Sequence, residues 1–505
     1  MKNHEIKATW NYHNGTKHPN GILLSRFHVY TPANRPIPYK DYKNSAEIRL
    51  HLVKESTGVA ALDAISERFL PPQDDVVPDI NILSRILFFS SGITKTIQFP
   101  SPIGPVDFRA ASCTGALYHI EIYVACTDID GLAAGVYYFN PQNFSLVMLR
   151  SGDYRKFLAH AAGNEQNMEH APVILIFTDI FSRNAIKYQA REYRHAFWDC
   201  GTILANTLAI SSAHKIPHRL LLAFIDSEVN SLLGLETRRE ATLALLPIGH
   251  TNSDPPDSPP LFGKILESVP SECEIDFPEI NNVHNSSSLE SQEEIKSWRR
   301  PIPRANQATA GAILLREGIL SSDYLEETII RRGSTRKFSH DSISFEQLST
   351  ILSRSNRGFN SDFVTEDTSL NDIYLIVNAV DKFAPGAYFH NRENNSLVLL
   401  RSGNFRGISG HLGLDQNLPY DASVSIFFMT DLRKILEHFG NRGYRAAQLE
   451  AGIIGGRVYL ASYALGLGAT GLTFYDDEVT EFFSPHAKDK STMLMMVVGK
   501  KARKL

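Results

Sequence analysis

The sequence predicts an α+β protein made of two similar domains in tandem, each a mainly antiparallel sheet flanked by helices, closed into an intramolecular pseudo-dimer. The main observation is an internal repeat. Leu149-Arg150-Ser151-Gly152 returns as Leu400-Arg401-Ser402-Gly403, Gln166-Asn167 as Gln416-Asn417, Tyr193-Arg194 as Tyr444-Arg445 and Gly201 as Gly452, at an offset of 250 or 251. A near-constant offset with one order of elements points to duplication, and duplicated domains are expected to pair about a two-fold axis. Each copy also combines short strand-like runs with one long helical stretch, outside the βαβ order of a parallel sheet. Finally, 505 residues exceed what one ordinary core supports.

Residues 1–79 read as an N-terminal arm. Trp10-Asn11-Tyr12-His13-Asn14-Gly15-Thr16-Lys17-His18 mixes polar and aromatic groups around a turn glycine and is expected to lie over a domain surface. Prolines at 32, 36, 38, 71, 72 and 78 argue against long helices there. The first domain spans 80–251. Ile80 to Ser91 reads as a helix with Ile82, Leu83, Ile86 and Leu87 on one face. Phe108 to Leu117 reads as a small-residue loop leading into a helix and then a strand, Ile120 to Ala125. Gly135 to Phe139 and Leu146 to Leu149 alternate as a hairpin around Asn140-Pro141-Gln142-Asn143. Val173 to Phe177 is a fully apolar strand, Tyr193 to Ala213 a long helix, and Thr242 to Ile248 a closing strand.

Residues 252–300 read as a partly ordered linker crossing a surface, because Asp254-Pro255-Pro256-Asp257-Ser258-Pro259-Pro260 and Asn285-Ser286-Ser287-Ser288 offer little to a core. The second domain spans 301–505 and repeats the pattern of the first after a helix over 324–331.

Composition narrows the function classes. A hydrophobic fraction of 43% and a charged fraction of 21% describe a soluble globular chain. A net charge of −4 gives no support for nucleic-acid binding. Cys113, Cys126, Cys200 and Cys273 form neither a disulfide framework nor a zinc pattern, and the histidines show no ligand spacing. No metal is expected, and a reducing cytoplasm fits best. The polar N-terminus does not read as a signal peptide, and no apolar run reaches the ~18 residues that cross a bilayer.

The most chemically suggestive stretch is Arg332-Gly333-Ser334-Thr335-Arg336. In extended backbone Arg332, Ser334 and Arg336 point the same way, giving two fixed charges and a hydroxyl that suit a phosphate. The alternative is an exposed basic patch. The stretch occurs only in the second repeat. The small-residue loop Arg109-Ala110-Ala111-Ser112-Cys113-Thr114-Gly115-Ala116-Leu117 occurs only in the first. Glycines at 466, 468 and 471 do not make a dinucleotide fingerprint, since none opens a helix after a strand in a βαβ unit.

This pairing of motifs resembles the nitroreductase-like flavoprotein superfamily over roughly 80–250 and 315–505. The Arg-x-Ser-x-Arg stretch is similar to that family's phosphate motif. The loop is similar to its Arg-x-x-Pro-Ser-x-Gly-Ala-Leu segment, with Ala111 where proline is usual. The Tyr12 to His18 stretch and Lys187-Tyr188-Gln189-Ala190-Arg191-Glu192-Tyr193-Arg194 resemble the SagB-type flavin dehydrogenases, which oxidise peptide azolines to azoles. This chain looks like a fused relative of them.

The resemblance implies FMN at the interface between the repeats. The second repeat would supply Arg332, Ser334 and Arg336, the segment 466–474 beside the ring with Gly471, Leu472 and Thr473, and the basic tail Lys500, Lys501 and Arg503. The first would supply Arg109, Ser112, Cys113 and Gly115. The mirror-image site lacks the phosphate motif and carries Arg357-Gly358-Phe359-Asn360-Ser361-Asp362 in place of the loop, so one FMN per chain is expected. The resemblance also implies that Lys187 and Tyr188 are catalytic, taking the substrate proton while hydride passes to flavin N5. The second copy has His438-Phe439 there instead.

Arg191, Arg194, Arg442 and Arg445 occur in both copies and read as structural. The expected substrate is a small molecule or peptide, with NAD(P)H or O2 as co-substrate. Two alternatives stay open: an NAD(P)H-dependent nitro or quinone reductase, and a non-catalytic flavin-binding scaffold for a maturation complex. The fused pseudo-dimer needs no second chain to complete the site.

Overall fold

Two strand-rich segments separated by about 250 residues carry the same apolar pattern, and each builds its own sheet. In the computed structural model the described residues are 2–19, 36–42, 45–52, 55–67, 74–101, 104–261, 265, 276–300, 302, 311–318, 323–365 and 367–502. The strands of the first half are β1 (Glu47–Arg49), β2 (Ile93–Gln98), β3 (Pro105–Arg109), β4 (Ile120–Cys126), β5 (Gly135–Asn140), β6 (Ser145–Ser151), β7 (Val173–Ile180) and β8 (Glu240–Ile248). β2 and β3 form a separate hairpin, and the rest an antiparallel sheet in the order β1-β6-β5-β4-β7-β8.

The second half holds β9 (Ile313–Leu314), β10 (Asp372–Val377), β11 (Gly386–Asn391), β12 (Ser396–Ser402), β13 (Val424–Thr430), β14 (Gly468–Leu472) and β15 (Ser491–Gly499). Their order is β14-β15-β13-β10-β11-β12-β9, again antiparallel. Even the register repeats: Cys126 faces Val173 in one sheet and Val377 faces Val424 in the other. Both faces of the central strands are covered, so β4 and β7 are buried along nearly their whole length instead of alternating with exposed residues.

The two long helices Glu192–Ala213 and Arg442–Ala464 pack against each other between the sheets. Both are buried almost all round, as a helix at the centre of two domains must be. At their crossing, a Cβ on Gly201 would lie 2.6 Å from Gly452 Cα, so only glycine permits this approach. A short antiparallel bridge joins Ala60 to Tyr324, with Ala61 N donating to Asp323 O and Leu325 N to Val59 O. These paired bonds mark the pseudo-two-fold axis.

Three expectations are corrected. The N-terminal stretch is not a surface arm: Lys7–Gly15 is a helix packed against the starts of the long helices, with Tyr12 and His13 buried against Tyr444. The second part of the presumed linker is its counterpart. Pro278–Ser286 is a helix whose His284 is buried against Tyr193, and Trp298 is buried at the end of Gln292–Trp298. The loop after residue 108 holds no α-helix. Phe108 and Arg109 end β3, and a single 3-10 turn, Thr114–Ala116, precedes β4.

The duplicated arginines do begin the long helices, and they lock the halves together. Arg194 donates to Asp476 at 2.6 Å, to His13 O at 2.6 Å and to Thr16 Oγ1 at 2.9 Å. Arg445 repeats this with Asp226 at 2.8 Å, His284 O at 2.7 Å and Ser287 Oγ at 2.8 Å. Arg191 and Arg442 reach the second oxygen of the same carboxylates. Each carboxylate comes from the opposite half.

Candidate functional site

The Arg332–Arg336 stretch leaves the helix Leu325–Arg331 in extended backbone and runs along the end of the second long helix. Its hydroxyls are anchored there. Ser334 Oγ lies 3.2 Å from Tyr459 OH, and Thr335 Oγ1 3.1 Å from Tyr463 OH. Tyr459 OH also accepts from Gly471 N at 2.8 Å, which ties Gly471 and Leu472 at the end of β14 to the same tyrosine. Thr335 N donates to Ala469 O. Gly468 must lack a side chain, since a Cβ would fall 2.3 Å from Thr335 Oγ1. The C-terminal tail closes the rim: Ala502 N donates to Lys337 O, and the Lys501 ammonium sits 4.4 Å from the Tyr463 ring centre. Arg503 lies outside the described residues.

Arg332 crosses to the first half. Its guanidinium donates to Ala110 O at 3.0 Å and Arg109 O at 3.2 Å, over the Tyr459 ring. The basic stretch of one repeat therefore holds the small-residue loop of the other. Arg336 is exposed. Its charge acts on both Lys187 and Tyr188.

In the loop, Ser112 O accepts from Thr202 Oγ1 at 2.8 Å, and the Cys113 thiol donates to Asp199 at 3.2 Å. Gly115 takes a left-handed φ of 67°, and a Cβ there would press within 3.0 Å of Tyr188 OH. Burial raises the Cys113 thiol, so it stays a donor and not a thiolate. The Arg109 side chain turns to the strap at 36–42. It lies between the Tyr39 and Tyr118 rings and donates to Pro38 O at 2.6 Å and to Ser91 Oγ at 3.4 Å, while its Nε is buried without a hydrogen bond. Thr473 Oγ1, beside the end of β14, is likewise buried and unsatisfied.

Lys187 and Tyr188 end the helix Phe181–Tyr188. The chain turns sharply after them through Gln189, whose φ is 53°. Asn184 of this helix donates to Thr114 O at 3.2 Å, and the Tyr188 ring meets His195 edge-on at 4.5 Å. The Lys187 ammonium lies 5.1 Å from the Tyr188 ring centre. Burial and the Arg336 charge lower Lys187, whereas burial and the nearby Asp199 carboxylate raise Tyr188. Lys187 thereby releases its proton more readily than an exposed lysine, and Tyr188 is kept as a neutral hydroxyl.

The pseudo-symmetric position is packed differently. Arg457 sits over the Phe359 ring and donates to Arg357 O, and Asp362 accepts from Leu222 N and Ala223 N. Leu208 and Ser212 stand where Tyr459 and Tyr463 stand in the other copy.

Sequence reasoning missed Tyr459, Tyr463, Asp199 and His119. The tyrosines could have been found from the repeat, since their counterparts lack the phenol. Asp199 and His119 carry no spacing signal, being 80 residues apart and joined only by packing of the loop against the long helix.

Residues 106–250 and 329–500 match the nitroreductase family. A protein of Methanocaldococcus jannaschii named a nitroreductase is 28% identical over 167 residues, covering 33% of this chain and 78% of that protein. The microcin B17-processing protein McbC of Escherichia coli is 25% identical over 171 residues, 33% of this chain and 59% of McbC. The crystal structure of a protein from Anabaena variabilis, described as a nitroreductase, covers 98% of this chain and 99% of its own, with 25% identity and a TM-score of 0.77. Matches over two separate regions, together spanning more than half the sequence, place the chain in the nitroreductase family as a tandem member.

Proposed function

We propose that the chain is an FMN-dependent oxidoreductase with one flavin between its repeats, acting as a SagB-type dehydrogenase on a peptide or peptide-like metabolite. The carrying observation is the composite site: Arg332 and Arg336 come from one repeat, the 109–115 loop and Lys187–Tyr188 from the other, and their contacts join at one place. The residues fit FMN. Arg332, Arg336 and Lys501 supply positive charge for a phosphate, and the orphaned polar atoms of Arg109 and Thr473 call for partners that a flavin's polar edge has. Bound flavin would supply hydride acceptance at N5.

The chain's own residues do the remaining work. Lys187, lowered by burial and by Arg336, accepts the substrate proton. Tyr188 keeps its own proton and orients the substrate by donating a hydrogen bond. Gly115 leaves room for the Tyr188 hydroxyl at the loop. The likeness to McbC, named for the processing of microcin B17, supports a substrate of the same kind as that microcin.

A second reading, NAD(P)H-dependent reduction of a nitro or quinone compound, is favoured by the relative named a nitroreductase. Anaerobic mixing separates the two. Under the dehydrogenase reading, NADH and NADPH leave the flavin oxidised, and an azoline-containing peptide bleaches it. Fast bleaching by either nicotinamide supports the reductase instead. A colourless protein that takes up no added FMN contradicts both.

A further inference from the structure

His119, immediately before β4, is fully buried and has a carboxylate on each ring nitrogen. Nδ1 lies 2.7 Å from Asp179 Oδ1 and 3.3 Å from Glu192 Oε1, and Nε2 lies 2.8 Å from Asp199 Oδ2. A neutral imidazole has one N–H and one lone pair, so one carboxylate would face the lone pair. Only the imidazolium donates to both. Asp199 is equally constrained. Besides His119 it accepts Thr114 N at 2.7 Å, Thr114 Oγ1 at 3.0 Å and the Cys113 thiol at 3.2 Å. Three of these donors converge on Oδ2 and Thr114 Oγ1 lies on Oδ1, so Oδ2 is crowded with donors that an ionised oxygen accepts and a protonated one could not.

We infer that His119 is a permanently charged positioning residue: as an imidazolium it keeps Asp199 ionised, and ionised Asp199 holds the Cys113–Gly115 turn against the Tyr188 hydroxyl. Only the last link, the part Tyr188 plays, rests on the function proposed above. The electrostatic surroundings agree. The titratable groups acting on His119 or on its partners are Cys113 from the loop, Asp179 from β7, Tyr188 from the preceding helix, and Glu192, His195, Asp199 and Cys200 from the long helix. Burial alone would lower His119, but Asp179 and Asp199 overcome it and hold it well above the ordinary histidine range. Glu192 is raised by burial and by the nearby Asp179 charge. A raised histidine stays charged at neutral and lower pH and loses its charge only as pH climbs through the raised value.

The test is nitrogen NMR on the full chain labelled with 15N-histidine, the His119 resonances being identified by their loss in His119→Gln. Both nitrogens are expected at imidazolium positions from about pH 6 to about pH 9, across and above the ordinary histidine value of ~6.5. In Asp199→Asn the titration should fall toward that ordinary value, and amide exchange of the 113–115 turn should quicken by about tenfold or more, the factor that 1.4 kcal/mol represents. If His119→Gln does not fold, Asp179→Asn identifies the same resonances by moving the titration downward. A single neutral tautomer across the range overturns the inference. So does a stoichiometric divalent metal on Nδ1. A chain that never takes up FMN would contradict the proposed function while leaving the charge of His119 to be decided by the spectrum.

Discussion

Gly201 and Gly452 face each other at the crossing of the two long helices, so close that a methyl group on either would collide with the other's backbone or its neighbours. The same sequence position in both repeats is therefore spent on one contact, and everything between the halves is built on that approach. Gly201→Val should lower stability by at least ~1–3 kcal/mol through overpacking, read as a shift of the urea midpoint. Gly407, around whose position a Cβ meets nothing within 4 Å, gives the control: Gly407→Ala should leave the midpoint nearly unchanged.

Arg194 and Asp476 form a buried pair across the halves, and Arg445 and Asp226 form its mirror image. Removing one member leaves a buried charge short of a partner, so Arg194→Ala should cost about 3–5 kcal/mol. The pH dependence has a definite sign. Burial alone would raise Asp476, but Arg191 and Arg194 hold it well below the ordinary carboxylate range. A lowered carboxyl contributes stability above its unfolded value, near ~4, and loses it as pH falls from there. Stability should thus drop below about pH 4, and Asp476→Asn should flatten that part of the profile while lowering stability at neutral pH.

Lys187→Met is expected to retain flavin and to slow turnover by about 10²–10⁴-fold, the usual worth of a proton-transfer group, and Tyr188→Phe, which removes an orienting hydrogen bond, to retain flavin and slow turnover by about tenfold. Because Lys187 is lowered by burial and by Arg336, and acts unprotonated, Arg336→Ala should move the rising, acidic limb of the rate profile upward in pH. Retained turnover in Tyr188→Phe would take the phenol out of the chemistry.

Arg336 is exposed and is expected to reach the flavin phosphate, so Arg336→Ala should weaken FMN binding about ten- to a hundredfold, as loss of a charged hydrogen bond does. The unfolding midpoint of the flavin-free protein should not change. Isothermal titration with FMN reads the first, and urea unfolding the second.

How much of this was legible in the sequence depends on whether a local pattern encoded it. The helix Ile80–Ser91 appears with the expected bounds because Asp79 caps it, accepting from Ile82 N, and its apolar face is continuous. The long helix, expected over Tyr193 to Ala213, begins one residue earlier, at Glu192–Ala213. The N-terminal helix was misread because its repeat is displaced. His13-Asn14 with Thr16 recurs as His284-Asn285 with Ser287 at an offset of 271, against 251 for the body of the repeat, since the first copy has 20 more residues between this helix and its body than the second. The helix expected after the small-residue loop is absent because the turn Thr114–Ala116 is kinked at Gly115, whose left-handed φ a regular helix does not admit. Arg332 and Lys187 were legible from motif, but the partner of Arg332, the carbonyls of Arg109 and Ala110, exists only after folding. His119 and Asp199 lie on different elements, and only tertiary packing brings them together.

The central claim is a single flavin in an asymmetric site. The most direct measurement is the ratio of flavin released on denaturation, by absorbance and chromatography, to polypeptide, after saturation with FMN and removal of the excess. The expected result is about one FMN per chain, falling toward zero in Arg332→Ala combined with Arg336→Ala. A ratio near two would mean that the packed mirror position also binds, and a ratio near zero would mean that the composite site does not hold flavin; either contradicts the account.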